Sequence, residues 1–249
     1  MIASVSKMAQ IIDLFFESES ALSNKQIAEM LGLPVSSAHH FLKTMCKENI
    51  LMQDKDRKYR LGWRILEWSN KVMYQQEINE KVTPIAASLV NRFKGSVHVG
   101  MFDNGQVRFI FKNVSPQSEV LPTYIGVTRF PAHATSIGKV LLAYNPSFVK
   151  AVEHHGMEKF TENTITDIAD LKVELKEIYK KGFAVSKGEN ETGTFGIAAP
   201  IKSYSGQVIA ALNFVCDINY VQEHNYQLIL NEVIRSAQTI SREIGYITI

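Results

Sequence analysis

Along the first sixty positions, apolar residues recur at helical spacing in three stretches and then change to alternate spacing. Val5, Met8, Ile12 and Phe15 mark one face of a helix from about Ser6 to Phe16. Ile27, Ala28 and Leu31 mark a second, and Ala38, Phe41, Leu42 and Met45 fall at i, i+3, i+4 and i+7 of a third. Ser23 is placed to cap the second helix, with Gln26 three residues on reaching back and Leu22 stapling onto Ile27. Gly32 suits the left-handed residue that ends it, and Pro34 fits the first turn of the third helix, where no amide is lost. From Ile50 to Leu61 the pattern reads as two short strands around Asp54-Lys55-Asp56-Arg57-Lys58, with Tyr59 and Leu61 inward. Three helices followed by a basic hairpin predict a winged helix-turn-helix.

Charge sharpens that picture. The outer face of the third helix carries Ser36, Ser37, His40, Lys43, Thr44 and Lys47 and no carboxylate, the groups needed to read base edges and grip phosphates. Between Ser36 and Arg64 seven cations (Lys43, Lys47, Lys55, Arg57, Lys58, Arg60, Arg64) face three anions (Glu48, Asp54, Asp56), although the whole chain is only +2. Positive charge is thus concentrated where a DNA backbone would lie. The expected contacts to double-stranded DNA are Ser36, Ser37, His40, Lys43, Thr44, Lys47, Arg57 and Lys58.

Beyond the hairpin, Trp63 to Gln76 is helical in period (Ile65, Trp68, Val72) but adds Leu66, Met73 and Tyr74, more apolar surface than a lone helix hides; a dimer contact would use it. A helix starting at Thr83-Pro84 (Ile85, Ala86, Leu89, Phe93) stops at Gly95. The period then becomes two, with Ser96 to Phe102 and Gln106 to Asn113 flanking Asp103-Asn104-Gly105, a strong hairpin signal. Helices are expected over Thr135 to Tyr144, Phe148 to His155 and Asp167 to Lys181, a strand over Phe183 to Val185, two strands around Ser205-Gly206, and a long helix from Tyr220 to Gly245. One antiparallel sheet with helices packed on it accounts for this order, an α+β fold. The expected division is residues 1–62 for the winged helix-turn-helix, 63–80 for a linker helix and 81–249 for the second domain.

The 249 residues are 45% hydrophobic, ordinary globular material. No stretch approaches the roughly 20 apolar residues of a membrane span, and Met1 to Lys7 lacks the apolar core of a secretion signal, so a cytoplasmic protein is expected. Cys46 and Cys216 fall in different expected domains, which argues against a disulfide. None of the seven histidines has zinc-site spacing, so neither metal nor cofactor is assigned.

Several short motifs, each weak alone, become specific through their order and spacing. They are Gly32-Leu33-Pro34-Val35-Ser36-Ser37 with Phe41-Leu42, Tyr59-Arg60-Leu61-Gly62, the run from Phe130 to Ala143, Gly182-Phe183-Ala184, Glu189-Asn190-Glu191-Thr192-Gly193, and Ile197-Ala198-Ala199-Pro200. Over nearly its whole length the chain resembles the IclR family of bacterial transcriptional regulators. The resemblance implies a winged helix, a linker helix and a GAF-like effector domain, in homodimers or homotetramers. The chain departs from the family pattern at four places: His40 stands where an arginine is frequent, Gly196 where many relatives have cysteine, Ser136-Ile137 replaces a small pair, and Ser186 replaces a frequent acid.

The strip from Phe130 to Lys139 enters a helix N-terminus, whose free amides and dipole favour an anion. On the residues alone this competes evenly with a plain reading in which Thr135 is only a cap and Lys139 a solvated side chain. The resemblance favours an effector pocket lined by Phe130, Ser136, Ile137, Gly196, Asn213 and Val215, taking a small carboxylate. His133, Ser136, Lys139 and Glu189 could each serve as base, nucleophile or acid, but no nucleophile elbow or phosphate loop frames them, and no catalytic residue is assigned. His98, in an alternating strand, reads as an outward polar residue, and His154-His155 as the end of a solvated helix. The expected function is a ligand-responsive regulator on a near-palindromic operator, with no membrane partner; the alternative is a metabolite-converting enzyme with a DNA-tethering head.

Overall fold

The computed structural model describes residues 2–18, 20–74, 77–116, 129–224 and 226–247. It forms two compact units, residues 1–76 and 77–249.

The first unit contains α1 (Ala3–Glu17), β1 (Leu22–Ser23), α2 (Asn24–Met30), α3 (Val35–Lys47), β2 (Leu51–Gln53), β3 (Lys58–Leu61) and α4 (Trp63–Tyr74). The capping box at α2 forms as its sequence requires: the Gln26 amide donates to Ser23 Oγ at 3.3 Å, and the Ser23 amide donates to Gln26 Oε1 at 2.9 Å. Gly32 sits at φ 61, the left-handed turn between α2 and α3. Pro34 is the N-cap of α3, immediately before the first turn in which it was expected. The core joins Ile11, Leu14, Leu22, Ile27, Leu42, Met45, Ile50, Leu51 and Tyr59. The inner face of α1 is therefore centred on Ile11 and Leu14; Met8, Ile12 and Phe15 flank it and Val5 is exposed. The hairpin has an unexpected third strand, since β1 pairs with β3 through Leu22 opposite Tyr59.

The second unit contains α5 (Glu77–Arg92), β4 (Ser96–Asp103), β5 (Gln106–Val114), β6 (Arg129–Pro131), α6 (Ser136–Tyr144), α7 (Val149–His155), α8 (Ile168–Lys181), β7 (Ala184–Lys187), β8 (Thr194–Lys202), β9 (Val208–Asp217), α9 (Ile218–Glu223) and α10 (Tyr226–Glu243). The helix α5 begins at Glu77 rather than Thr83, and Pro84 lies inside it. The long terminal helix expected from Tyr220 is two helices. The six strands form one antiparallel sheet in the order β6-β5-β4-β9-β8-β7.

Strand alternation sorts side chains onto two buried layers. Val97, Val99, Ile197, Ala199, Leu212 and Phe214 face one way, into a core shared with Ala86, Leu89, Val233 and Ala237 of α5 and α10. Phe109, Ala198 and Ala211 face the other way, against Val140 and Leu141 of α6 and Leu171 and Leu175 of α8. Because helices cover both faces, polar positions of the central strands are enclosed rather than solvated.

Candidate functional site

Within the first unit, Ser36, His40, Lys43, Thr44 and Lys47 are exposed on α3 and Ser37 is half-buried, while Ala38, Leu42 and Met45 are buried. Thr44 Oγ1 donates to the His40 carbonyl at 2.9 Å, so its own acceptor side is what remains for a partner. The wing tip is built by Asp54, whose Oδ1 accepts the amides of Asp56 and Lys58 at 3.0 and 2.9 Å. Arg57 is held at φ 57, with its carbonyl accepting from Gln53 Nε2 at 3.2 Å.

The structure divides the seven cations of this segment into two groups. Arg60 faces Asp54 at 3.6 Å and Arg64 pairs with Glu48 at 2.9 Å. Lys43, Lys47, Lys55, Arg57 and Lys58 have no carboxylate partner among the described residues. The unpaired cations therefore lie on α3 and the wing. On α4, Trp63, Leu66 and Trp68 are exposed; the side chains of Met73 and Tyr74 lie outside the described residues.

Within the second unit, Phe130, Ser136, Ile137, Gly196, Asn213 and Val215 come from β6, α6, β8 and β9 to line a single cavity of about 150 Å³. Their juxtaposition follows from register: Gly196 pairs with Val215, and Asn213 with both Ala198 and His98. Ser136 Oγ donates to Asn213 Oδ1 at 3.0 Å. A Cβ on Gly196 would stand 2.8 Å from Ser136 Oγ, so glycine keeps this part of the cavity open.

Above the sheet, Thr135 caps α6 by accepting the Gly138 amide at 3.2 Å, and its carbonyl accepts the Lys139 amide at 2.9 Å. At this helix start the amides of Ser136 and Ile137 have no acceptor among the described residues. Asn213 is only 4% exposed, and its side-chain amide nitrogen likewise donates to no described residue.

His98 overturns its expected outward orientation. It is 2% exposed and lines the cavity, because the α6 layer covers that face of β4. Its ring stacks on Phe109 at 4.5 Å, and Phe109 stacks on Phe130 at 4.9 Å. Burial, reinforced by Lys112, pushes its pKa down to about 3, so the imidazole is neutral at physiological pH. Phe109, Ser186, Asn190, Glu191 and Thr194 also line the cavity and were missed. The Glu189–Gly193 motif was the one available signal for Asn190 and Glu191.

The solvated alternative for Lys139 fails. Its side chain is 0% exposed, and Nζ lies 2.6 Å from Glu174 Oε1 and 2.7 and 2.8 Å from the two oxygens of Glu189. Burial holds the Glu189 carboxyl above its ordinary range despite the attraction of Lys139. His133 is buried, with Nε2 3.0 Å from the Glu158 carbonyl, and the Ser136 hydroxyl is given to Asn213 rather than to a base. Of the residues weighed for an enzymatic site, Lys139 and Glu189 are therefore tied to each other, while His133 and Ser136 have other partners. His154 and His155 are exposed at the end of α7.

A larger groove, of about 570 Å³, follows the outer edge of β7. Three of its four charged residues, Glu177, Lys181 and Lys187, are exposed, so it lacks the convergent buried polar groups of the smaller cavity. No group of three metal-ligating side chains is found among the described residues, nor any helix long and apolar enough to cross a membrane.

Residues 4–55 match the family model for the IclR helix-turn-helix domain, and residues 70–242 match the model for the C-terminal domain of bacterial IclR transcriptional regulators. The chain is 29% identical to the transcriptional regulator XynR of Escherichia coli, over 99% of this chain and 98% of that one. It is 26% identical to the p-hydroxybenzoate hydroxylase transcriptional activator of Acinetobacter baylyi, over 98% and 90% of the two chains. A crystal structure of an IclR homologue from Microbacterium hydrocarbonoxydans, complexed with 4-hydroxybenzoate, shares the fold at a TM-score of 0.87 and 24% identity, over 97% of this chain and 98% of that one. The winged helix-turn-helix with its unpaired cations, the six-stranded sheet unit and both domain matches lead to one assignment: the chain belongs to the IclR family of bacterial transcriptional regulators.

Proposed function

We propose that this regulator binds a near-palindromic operator as a homodimer or homotetramer, and that a small carboxylate in the cavity between α6 and the sheet sets its DNA affinity. DNA contacts are assigned to Ser36, Ser37, His40, Lys43, Thr44, Lys47, Arg57 and Lys58, within a functional division of residues 1–62 for DNA, 63–80 for linkage and 81–249 for sensing. The observation that carries the effector reading is a set of donors with no acceptor among the described residues, all on residues that line the cavity: the Ser136 and Ile137 backbone amides at the start of α6 and the side-chain nitrogen of the buried Asn213. Among the described residues no lysine or arginine lines the cavity, so an acid there would be held by dipoles and hydrogen bonds rather than by an ion pair. A volume of about 150 Å³ corresponds to the space of about five waters, the scale of a small organic acid.

The bound 4-hydroxybenzoate of the Microbacterium relative supports an acid of this size. The Acinetobacter relative, a p-hydroxybenzoate hydroxylase transcriptional activator, points to the same chemistry. To act as an effector, the acid must bind the DNA-competent and DNA-incompetent states unequally. Thermal-shift screening of small carboxylates tests the reading: hits should stabilise the full chain, and Gly196→Leu, which fills the space beside Ser136, should abolish the shift while leaving DNA binding by the free protein intact. Full stabilisation of Gly196→Leu would place the effector elsewhere.

A further inference from the structure

We propose that Lys139 is a positioning residue for the effector cavity: its buried ammonium holds the wall formed by Glu189 to Thr194 against helices α6 and α8. The inference rests on the effector reading for its functional meaning and on the ion cluster for its geometry. Lys139 lies in the first turns of α6, the helix whose start opens onto the cavity, yet it does not line the cavity itself. It reaches Glu174 on α8 at 2.6 Å, and Glu189, ahead of β8, at 2.7 and 2.8 Å. The residues that follow Glu189 do line the cavity: Asn190, Glu191 and Thr194.

The same segment is also held through its backbone. The Glu189 carbonyl accepts from Thr164 Oγ1 at 2.6 Å and from Thr161 Oγ1 at 3.3 Å, and the Gly188 carbonyl accepts from Thr161 Oγ1 at 2.7 Å. The backbone at 188–189 is therefore clamped by hydroxyls, while the Glu189 side chain is clamped by Lys139. One cation, shared by two carboxylates, sets the distance between the start of the cavity wall and the two helices beneath it.

A buried ion cluster contributes little net stability, because desolvation offsets most of the attraction. Removing its cation has a different consequence. Glu189 would be left buried beside a second carboxylate, Glu174, with no positive partner, and the cheapest relief is for the Glu189 segment to swing toward water. That movement carries Asn190 and Glu191 with it. Glu174 is partly exposed, so water can replace its share of the ammonium, and its loss should matter less.

The test uses the full chain as wild type, Lys139→Met, Lys139→Arg, Glu174→Gln and Glu189→Gln. Amide hydrogen exchange is followed at 188–194 and in β4 and β9, and thermal shift is measured with 4-hydroxybenzoate and pyruvate as probes. Lys139→Met should speed exchange at 188–194 by about tenfold or more, as loss of a charge-assisted hydrogen bond implies, while β4 and β9 keep their protection. Lys139→Arg should restore part of that protection, and Glu174→Gln should change it least. Any probe that shifts the wild type should shift Lys139→Met far less. Unchanged protection at 188–194, a loss spread equally over β4 and β9, or an undiminished probe shift would overturn the proposal. Should Lys139→Met fail to fold, Glu189→Gln, which keeps the side-chain shape but weakens the attraction to Lys139, gives the same reading at 188–194. If neither probe shifts the wild type, the effector reading fails for these two acids, and the exchange comparison still decides the role of Lys139.

Discussion

Asn213 accepts a 3.0 Å hydrogen bond from Ser136 Oγ, 77 residues away in the chain, and so fixes the centre of β9 to the first residue of α6. The bond consumes the Asn213 carbonyl and the Ser136 hydroxyl proton. What this pair has left to offer a ligand as a donor is the Asn213 amide nitrogen.

Ser136→Ala should therefore lower stability by about 1–3 kcal/mol, because it leaves the Asn213 carbonyl oxygen buried without a donor. Denaturant unfolding of the full chain measures this. Asn213→Ala with Ser136→Ala should cost less than the sum of the single changes, since each removes the same bond. Additive losses would mean that the 3.0 Å contact contributes nothing.

The second expectation concerns pH. Burial holds the folded-state pKa of His98 near 3, against an ordinary value of 6.5. The unfolded chain therefore takes up a proton below pH 6.5 that the folded chain refuses. The stability contributed by neutral His98 is fully present above pH 6.5 and is lost as pH falls from there toward 3, by up to about 1.4 kcal/mol per unit. His133, also lowered by burial, acts in the same direction. Unfolding of wild type and His98→Gln at pH 7 and pH 5 should show a smaller pH loss in the variant. Parallel losses would remove His98 as a contributor.

His98 also marks the boundary of what the sequence could reveal. Strict alternation in β4 correctly separated Val97 and Val99 from His98, but period two says only that neighbours face opposite ways. Whether the second face meets solvent depends on α6, which packs there from forty residues downstream in the chain. Lys139 was illegible for the same reason: its carboxylate partners lie 35 and 50 residues away. The helices of the first unit were legible because their signals are local, as the Ser23–Gln26 box and Gly32 show. The six residues brought together at the cavity owed their grouping to a family resemblance, since no local pattern links Phe130 to Val215.

A third expectation separates the cations. Lys43→Ala and Arg57→Ala should weaken binding to a duplex selected from a random pool and reduce the salt slope by about one each, because neither cation has a carboxylate partner among the described residues. Arg60→Ala and Arg64→Ala should change the slope less, since Asp54 and Glu48 already neutralise those side chains. His40→Ala should instead relax base preference. Equal slopes for all four cation variants would show that intramolecular pairing does not govern the DNA contact.

The last expectation concerns assembly through α4. Trp63 is 69% exposed, and Leu66 and Trp68 are also exposed on the same 12-residue helix. Two indole rings and a leucine left in water on one short helix are an unfavourable surface for a monomer, and a symmetric partner helix would bury them. Such pairing would also link two winged heads, as two half-sites of an operator require. Sedimentation of the wild type at micromolar concentration should give a dimer or a tetramer. Trp63→Glu with Trp68→Glu should shift it toward smaller species, because two pairs of like charges would face each other across a two-fold contact, and should weaken binding to a two-half-site duplex more than to a single half-site. A wild type that sediments as a monomer, or a double variant with unchanged assembly and unchanged preference for paired half-sites, would remove α4 from the interface.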